Sequence, residues 1–364
     1  MDDKRVQSLT DRQTDRQTDR QTDRQTDSAK HDLFQVLHNK CANAKKKYSD
    51  YKNFKSLGKH KGFFFDVKKV YIKHFLQSPF KRSIIIQAWV KTEKKKFQVR
   101  NWGDDLNKHL IELMTGRRTL FIPDGAQDIK SFSLPKRYLF VGSILSFYNL
   151  NNSVIWGTGL MCQTRIIGTP KKVLMVRGPK TRQVLMEQGI SCPECYGDPA
   201  LLLPLFYEPE IKSQNSITVI IHENTPFDNE IIIRMKSNGC KVINMKNYNC
   251  WTDIIDTIVN SRFIISESLH GLIVAEAYGI PSVWVEFVQH PDFWSFKYQD
   301  YYDSIGKLGE ESYKLYESYD WNSIITNVEK WQKGKIDYIN MLNSFPIKAD
   351  KRKKVQNDLL KYDV

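Results

Sequence analysis

Apolar segments alternate with helical patterns in two successive runs, and this alternation restricts the fold more than any other feature. The first run contains the apolar segments SIIIQAWV, RYLFVGSIL, SVIWGTGLM and KVLMVRGP, and the helical patterns DDLNKHLIELMTG and KTRQVLMEQG. Near-continuous apolar segments that alternate with helices are typical of parallel strands covered on both faces. The first run therefore predicts a doubly wound, Rossmann-like α/β domain.

The second run follows the segment YGDPALLLPLFYEPEIKSQNS, which contains several prolines and predicts an interdomain connection. The strand patterns are ITVIIHE, KVINMK, RFIIS and SVWVEF, and they alternate with helical patterns near 228–238, in WTDIIDTIVNS and in LHGLIVAEAYG. Two such runs predict two Rossmann-like domains that face each other across a cleft. Ligands of open parallel sheets bind beyond the carboxyl ends of the strands, so residues just after each strand are candidates for a site.

The length of 364 residues, with 41% apolar residues, is enough for two ordinary domains. We predict five segments: a disordered repeat leader at 1–28, a basic helical segment at 29–82, an N-terminal domain at 83–205, a C-terminal domain at 206–320 and a helical extension at 321–364. No stretch has the length of a membrane-spanning helix, and the polar start lacks the pattern of a signal peptide. We therefore expect a cytoplasmic protein.

The positive charge of the chain is concentrated near its start. The formal net charge is +14, and the segment from Lys40 to Lys73 carries eleven lysines against two aspartates. This segment is either an ordinary solvated surface or a contact for an anionic partner, such as the inner face of a membrane. The lysines lie outside the predicted domains and no aromatic-basic pattern accompanies them, so we expect no nucleic-acid partner.

The six cysteines do not predict a disulfide scaffold or a metal site. Cys192 and Cys195 have the spacing of half a zinc site, but no second pair of cysteines or histidines follows at a usual distance. We expect structural thiols at these positions, no metal and no cofactor.

One candidate site lies where the strand pattern RFIIS leads into a helix that opens with Ser268, Leu269, His270 and Gly271. Serine is a good helix N-cap, and the free amides of a helix start suit a phosphate or carboxylate. His270 is placed to transfer a proton to or from a ligand bound there. The structural alternative is that Ser268 only caps the helix and that His270 packs against the neighbouring domain.

Further candidates follow strands of the first run. Asp104 is interpreted either as a helix cap or as a carboxylate at the cleft. Arg177 ends a strand and is interpreted either as a ligand for a phosphate or carboxylate, or as half of an ion pair. The turns RNWGDD and WGTGL contribute the remaining candidates for substrate binding, which are Asn101, Gly103, Gly157, Thr158 and Gly159.

Seven motifs together resemble one known family, in the family's order: NWGDDLNKHLIELMTGR, VGSIL, WGTGL, VRGPKTRQVL, YGDPALLLP, SESLHGLIVAEAYGIP and FKYQDYYDSIG. The chain is similar over about 83–306 to the polysaccharide pyruvyl transferases. The resemblance implies a fold like that of the GT-B glycosyltransferases. It also implies transfer of pyruvate from phosphoenolpyruvate to a sugar of a surface polysaccharide, exopolysaccharide or lipopolysaccharide, as a ketal.

The resemblance also implies roles for individual residues. His270 matches the family's histidine and is expected to be the acid or base, while Arg177 matches the arginine near the donor phosphate. Asp104 is expected to assist the acceptor hydroxyl or to orient its loop. Some members carry Arg-Leu-His where this chain has Ser268-Leu269-His270. The alternative donor is therefore a nucleotide sugar, used by a glycosyltransferase on the same class of glycan.

The stretch from Thr10 to Asp27 repeats the unit Asp-Arg-Gln-Thr without deviation and contains no apolar residue. Such a segment buries nothing and predicts disorder. Its codons can be read as copies of the tetranucleotide GACA, which slips during replication and shifts the reading frame. We therefore interpret the repeat as a switch that makes expression of a surface-glycan enzyme phase-variable.

This hypothesis makes a genetic and a biochemical prediction. The gene is expected to carry about thirteen uninterrupted GACA units over these codons. Deletion of residues 1–27 from the protein is expected to leave the catalytic rate unchanged, because the repeat that makes up most of this segment, Thr10 to Asp27, has no apolar residue to pack. Sequencing of the tract and steady-state kinetics of the shortened chain check both parts. Mixed synonymous codons would contradict the switch.

Overall fold

The computed structural model describes residues 83–89, 91–93, 96–98, 101–122, 136–222 and 224–347. Within these ranges, the chain is a mixed α/β structure with two parallel sheets of five strands each. The repeat leader and the basic segment predicted at 29–82 lie outside the described residues.

The first sheet is formed from the first run of apolar segments. Its strands lie in the order β4-β1-β5-β6-β7, and neighbouring strands are parallel. Their bounds are β1 Ile84–Ile86, β4 Thr119–Phe121, β5 Arg137–Leu139, β6 Ser153–Trp156 and β7 Lys172–Met175. A short antiparallel pair, β2 Lys91–Glu93 and β3 Lys96–Gln98, stands apart from this sheet. The order places the carboxyl ends of β1, β5, β6 and β7 along one edge.

The second sheet repeats this arrangement with the second run of apolar segments. Its order is β12-β11-β10-β8-β9, again parallel throughout. The bounds are β8 Ser216–Ile221, β9 Lys241–Asn244, β10 Ser261–Ser266, β11 Ser282–Glu286 and β12 Tyr313–Lys314. The central strands are almost entirely buried, as expected for strands covered on both faces.

The helices begin and end at residues that favour those positions. The α-helices are α1 Trp102–Thr115, α2 Pro179–Glu187, α3 Glu230–Ser237, α4 Thr252–Val259, α5 Leu269–Tyr278, α6 Phe296–Ser304, α7 Trp321–Glu329 and α8 Tyr338–Asn343. The Asn101 side chain caps α1, which ends at Gly116 in the left-handed conformation with φ of 66°. Gly279 ends α5 in the same way, with φ of 72°.

The segment interpreted from the sequence as an interdomain connection is partly a packed element. Pro199–Leu205 forms a 3₁₀-helix, and its residues Ala200 to Leu203 are fully buried. Helix α8 returns to the first sheet, where the indole nitrogen of Trp156 donates to the carbonyl of Met341 and to the hydroxyl of Ser344. Helix α8, near the end of the described chain, is therefore held against β6 of the first sheet.

The strands and helices predicted from the two runs are confirmed, with shorter bounds for several strands. The pattern at 104–116 predicts a helix, and the structure begins it two residues earlier, at Trp102. Strands β4 and β12 and helix α6 were not predicted as such, because their segments are short or strongly polar. The predicted domain boundaries stay predictions.

The conformation of Gly157, in the turn after β6, predicts how much stability its substitution costs. Its φ is 95°, and an added Cβ would lie 2.4 Å from two ring carbons of Pro199. Gly189 has a similar φ of 75°, but a Cβ there would meet no atom within 4 Å. Gly189→Ala is therefore expected to cost about 1–2 kcal/mol of unfolding free energy through its backbone alone. Gly157→Ala should cost about 1–3 kcal/mol more, through overpacking.

Urea denaturation of both variants and of the unchanged chain measures this difference. Equal losses in the two variants would mean that Pro199 moves aside at no cost, contrary to the prediction.

Candidate functional site

The turn between β10 and α5 fixes the start of the helix that carries His270. Ser268 occupies the N-cap position, but its side chain makes no cap hydrogen bond. The hydroxyl of Ser266 instead accepts from the amide of Ser268 at 3.0 Å and donates to its carbonyl at 2.9 Å. A Cβ at Gly271 would lie 2.4 Å from that hydroxyl, so this position requires glycine. Ser268 and Leu269 are buried, and the first turn of α5 lacks a side-chain cap from Ser268.

The imidazole of His270 packs directly against the start of α1. An ideal Cβ at position 103 would lie 2.2 Å from Nδ1 of His270, so only glycine allows this approach. Gly103 is held there because its amide donates to the Asn101 side chain at 3.0 Å. The carboxyl edges of the two sheets therefore meet at His270 and Gly103. The interpretation of His270 as a residue that packs against the neighbouring domain agrees with this contact.

Asp198 faces the other ring nitrogen of His270. Its Oδ2 lies 3.9 Å from Nε2 of His270, which is too long for a hydrogen bond. Nε2 is buried and has no hydrogen-bond partner among the described residues. The other carboxylate oxygen of Asp198 accepts from the amide of Ala200 and so caps the 3₁₀-helix. Among the described residues, the imidazole nitrogen nearest the carboxylate is thus left without a hydrogen-bond partner.

Burial lowers the pKa of His270 and raises the pKa of Asp198. Burial, and after it the positive charges of Arg177 and Lys297, lower the pKa of His270 to about 3. Burial raises the pKa of Asp198 to about 6, against the hydrogen bond from Ala200 and the charge of Arg177. At neutral pH the imidazole is therefore uncharged. The contact between His270 and Asp198 is not an ion pair in this state.

Asp104 does not cap α1, and the interpretation of this residue as a cap is wrong. The cap is Asn101, and Asp104 lies at the third position of the helix. Its Oδ1 accepts from the backbone amide of Trp89 at 3.2 Å, and its side chain is almost entirely buried. Asp104 thus ties the loop after β1 to the start of α1.

The turn WGTGL lies beside Arg177 rather than beside His270. The hydroxyl of Thr158 donates to the carbonyl of Gly142 at 2.6 Å, and the amide of Gly159 donates to the same carbonyl at 2.9 Å. A Cβ at Gly159 would lie 2.6 Å from the central carbon of the Arg177 guanidinium. The turn therefore makes room for the arginine side chain.

Arg177 is fully buried and forms an ion pair with Asp300 of α6. Nε and one terminal nitrogen both lie 3.0 Å from Oδ2 of Asp300. The guanidinium also donates to the hydroxyl of Ser143 and to the carbonyl of Leu160. Asp300 accepts in addition from the amide and the hydroxyl of Thr181, at 2.8 and 2.7 Å. The ion-pair interpretation of Arg177 matches these contacts, and the pair joins β7 of the first sheet to α6.

A second polar cluster lies at the carboxyl edge of the second sheet, around the buried side chain of Glu267. One of its carboxylate oxygens contacts the imidazole of His290 at 3.1 Å and accepts from the amide of Phe287. The other accepts from the amide of His222 and from the hydroxyl of Thr225, the latter at 2.6 Å. Burial alone would raise the pKa of Glu267, but these hydrogen bonds outweigh burial and lower it.

Aromatic and cationic side chains cover this cluster. The indole of Trp294 stacks on His290 with ring centroids 4.5 Å apart, and its edge meets His222 at 4.9 Å. Nζ of Lys297 lies 3.4 Å from the centroid of the Trp294 ring, in a cation–π contact. Burial, and after it the charge of Lys297, lower the pKa of His222 to about 4.

The structure brings together only part of the predicted site. Gly103 packs against His270, and Asn101 and Asp104 flank Gly103 at the start of α1. Thr158 and Gly159 contact Arg177, whereas Gly157 lies against Pro199. The sequence analysis did not identify Asp198, Glu267, Lys297 or Asp300 as site residues. Asp198 carried a readable signal, since an aspartate before proline at a helix start is a typical cap.

The described residues contain no group of three His, Cys, Asp or Glu side chains that could hold a metal ion. Cys192 is a free, buried thiol, and burial raises its pKa to about 12. Cys195 is also free, and its sulfur contacts the hydroxyl of Ser344 and the carbonyl of Asn340. Glu276 is buried in an ion pair with Lys307 at 2.6 Å, on a different face of α5 from His270.

The family model described as polysaccharide pyruvyl transferase matches residues 62–287, which is more than half of the chain. The chain belongs to the polysaccharide pyruvyl transferase family. Membership indicates a transferase that acts on polysaccharide. The chain is also similar to an uncharacterized protein of Acanthamoeba polyphaga mimivirus, with 28% identity over 225 residues, 59% of this chain and 74% of the viral one. Every helix in the described ranges is too short or too polar to cross a bilayer.

In this pyruvyl transferase family member, the buried ion pair gives a prediction for stability. Asp300→Asn keeps the shape of the side chain but leaves Arg177 buried without its counter-charge, so we expect a loss of about 3–5 kcal/mol. The control is Glu317→Gln in the exposed pair of Lys314 and Glu317, which is expected to cost less than about 1 kcal/mol.

Chemical denaturation of both variants measures these losses. A small loss in Asp300→Asn, equal to that of the control, would show that water reaches the guanidinium and that the pair does not join the two sheets.

Proposed function

We propose that this chain transfers a pyruvyl group from phosphoenolpyruvate to two hydroxyls of a sugar, as a ketal, in a GT-B-like cleft between the two sheets. The observation that carries the proposal is the environment of His270. Its imidazole is uncharged, its Nε2 has no hydrogen-bond partner among the described residues, and it lies in the first turn of a helix. The family supports a transferase on polysaccharide.

The electrostatics around His270 favour an anionic donor. After burial, the charges of two cationic side chains, Arg177 and Lys297, lower the pKa of His270. The start of α5 adds the positive end of a helix dipole, together with amides that Ser268 does not cap. Phosphoenolpyruvate carries a phosphate and a carboxylate, and both fit this positive charge. We place its charged groups at the amides of 269–271, with Arg177 and Lys297 as the source of positive charge.

A bound anion would also change the protonation of His270. Negative charge beside an imidazole favours its protonated form, so the donor raises the pKa of His270 from its low value. Binding of the donor thereby favours the protonated imidazole of His270, which is the acid that the proposed reaction needs. We infer that Asp198, with its pKa raised to about 6, exchanges this proton when the 3.9 Å gap between its Oδ2 and Nε2 of His270 closes to hydrogen-bond distance.

The proposed reaction needs only His270, Asp198 and the two substrates to account for every bond and proton. The imidazolium of His270 donates a proton to the methylene carbon of the enol phosphate, which becomes a methyl group, while one sugar hydroxyl bonds to C2. The second hydroxyl then bonds to C2 as the C–O bond to phosphate breaks. The proton of one sugar hydroxyl passes through Asp198 to His270 and replaces the proton that His270 gave to the donor. The proton of the other sugar hydroxyl leaves with inorganic phosphate. We infer that Asp104 acts by orienting the Trp89 loop, because its carboxylate accepts from the Trp89 amide.

We further propose a sugar of a bacterial surface polysaccharide or lipopolysaccharide as the acceptor. The repeat leader supports this class through the phase variation that it predicts. The eleven lysines between Lys40 and Lys73 support a peripheral contact with an anionic membrane face, near a lipid-linked acceptor.

Calorimetry with phosphoenolpyruvate and a panel of nucleotide sugars tests the donor. Phosphoenolpyruvate is expected to bind, and Lys297→Met to weaken it at least about tenfold, since it removes a positive charge of the pocket. Lys314→Met, on an exposed lysine, is the control and should bind as the unchanged chain does. Binding of a nucleotide sugar with no response to phosphoenolpyruvate would mean that the fold serves a glycosyltransferase.

The same titration followed by histidine NMR gives a second reading. Without donor, the signal of His270 is expected to show no titration between about pH 5 and 8, because its pKa is about 3. With phosphoenolpyruvate the titration should move upward into that range. His270→Gln assigns the signal and is expected to retain donor binding while losing turnover about 10²–10⁴-fold. An unchanged pKa in the presence of bound donor would contradict the role of His270 as the acid.

A further inference from the structure

Two large aromatic side chains are exposed side by side at the carboxyl edge of the first sheet. Trp89 follows β1 and is 38% exposed, and Phe147 follows the neighbouring strand β5 and is 40% exposed. Their ring centroids lie 5.1 Å apart with an interplanar angle of 59°. Ligands of open parallel sheets bind at the carboxyl edge of the strands, so two aromatic rings in contact there are a candidate surface for a small ligand.

The backbone holds this pair in place from two sides. The amide of Trp89 donates to the buried carboxylate of Asp104 at 3.2 Å. The carbonyl of the preceding residue, Ala88, accepts at 2.9 Å from the hydroxyl of Tyr148, which follows Phe147 and is buried. The loops that carry the two exposed rings are thus joined to each other and to α1. A surface that is rigid before binding loses little conformational entropy when a ligand covers it.

The pair also lies close to the proposed chemistry. Trp89 contacts Asp104, Asp104 follows Gly103 in α1, and Gly103 packs against the ring of His270. With 3.8 Å between successive Cα atoms, this path is on the order of 10 Å long, which is the span of one or two sugar rings. The loop that carries Trp89 therefore lies near His270 in the fold.

The chemistry of the surface favours a pyranose ring. One face of a pyranose presents C–H groups that pack on an aromatic ring, while its hydroxyls remain available for hydrogen bonds. Two side chains are too little for a stable protein interface, which buries about 1,200 Å² or more. Resting on the proposed function, we propose that Trp89 and Phe147 form an acceptor platform, on which a pyranose ring of the sugar acceptor stacks with its hydroxyls directed toward His270.

The test uses methyl β-galactopyranoside and methyl β-glucopyranoside as probes, with saturation-transfer NMR on the full-length chain. Trp89→Leu and Phe147→Leu keep an apolar side chain but remove the flat ring. Each is expected to weaken binding of at least one probe about tenfold, which corresponds to about 1.4 kcal/mol. The matched control is Phe227→Leu, at an aromatic of similar exposure, 37%, that lies after β8 of the second sheet. It should leave sugar binding unchanged.

Three results would overturn the acceptor platform: unchanged sugar binding in both ring variants, an equal loss in Phe227→Leu, or no binding of either probe to the unchanged chain. A fluorine label on tryptophan, assigned with Trp89→Leu, shows whether solvent reaches Trp89. A signal that does not respond to D₂O would mean that another part of the chain covers it, which also overturns the proposal. Phosphoenolpyruvate calorimetry on the same samples tests the proposed function separately.

Discussion

The buried ion pair between Arg177 and Asp300 is the constraint on which the relative placement of the two sheets depends. Both side chains are fully buried, so neither charge is solvated by water and each is stabilised by the opposite charge of its partner. The backbones are equally close, since a Cβ at Gly178 would lie 1.7 Å from the carbonyl oxygen of Asp300. The end of β7 therefore cannot move away from α6 without leaving two charges unpaired in the interior. This fixed distance allows the start of α1 to rest on the start of α5.

That contact determines the chemical character of His270. The imidazole of His270 is mostly buried against the backbone of Gly103, with 15% of its side-chain surface exposed, and this partial exclusion of water is the largest cause of its lowered pKa. The same exclusion of water raises the pKa of Asp198. The pKa of Asp198 therefore lies above the pKa of His270, whereas a carboxyl group usually has the lower pKa of the two. Under the proposed function, a bound donor anion raises the pKa of His270 and so links donor binding to the position of one proton.

Local patterns predicted most of the fold, and tertiary contacts decided most of the site. The strands, helix α1 and its end at Gly116 follow from periodicity and from the left-handed conformation that glycine adopts. Nothing in the spacing of the sequence shows that Arg177 meets Asp300, 123 residues away, because that contact depends on how two domains pack. The sequence also left Asp104 open as a cap, but the Asn101 side chain caps the helix and Asp104 accepts from the amide of Trp89 instead.

The two sheets contribute different chemistry to the region between them. The second sheet and α6 bring Lys297, His290 and the start of α5, which together suit a small, strongly charged molecule. The first sheet brings the acceptor platform, which suits a larger molecule with weakly polar faces. In the proposed reaction His270 gains its proton when the donor anion binds, so the donor has to bind before the acceptor reacts. The electrostatics of a single histidine thus impose an order on the proposed reaction, independently of which sugar is bound.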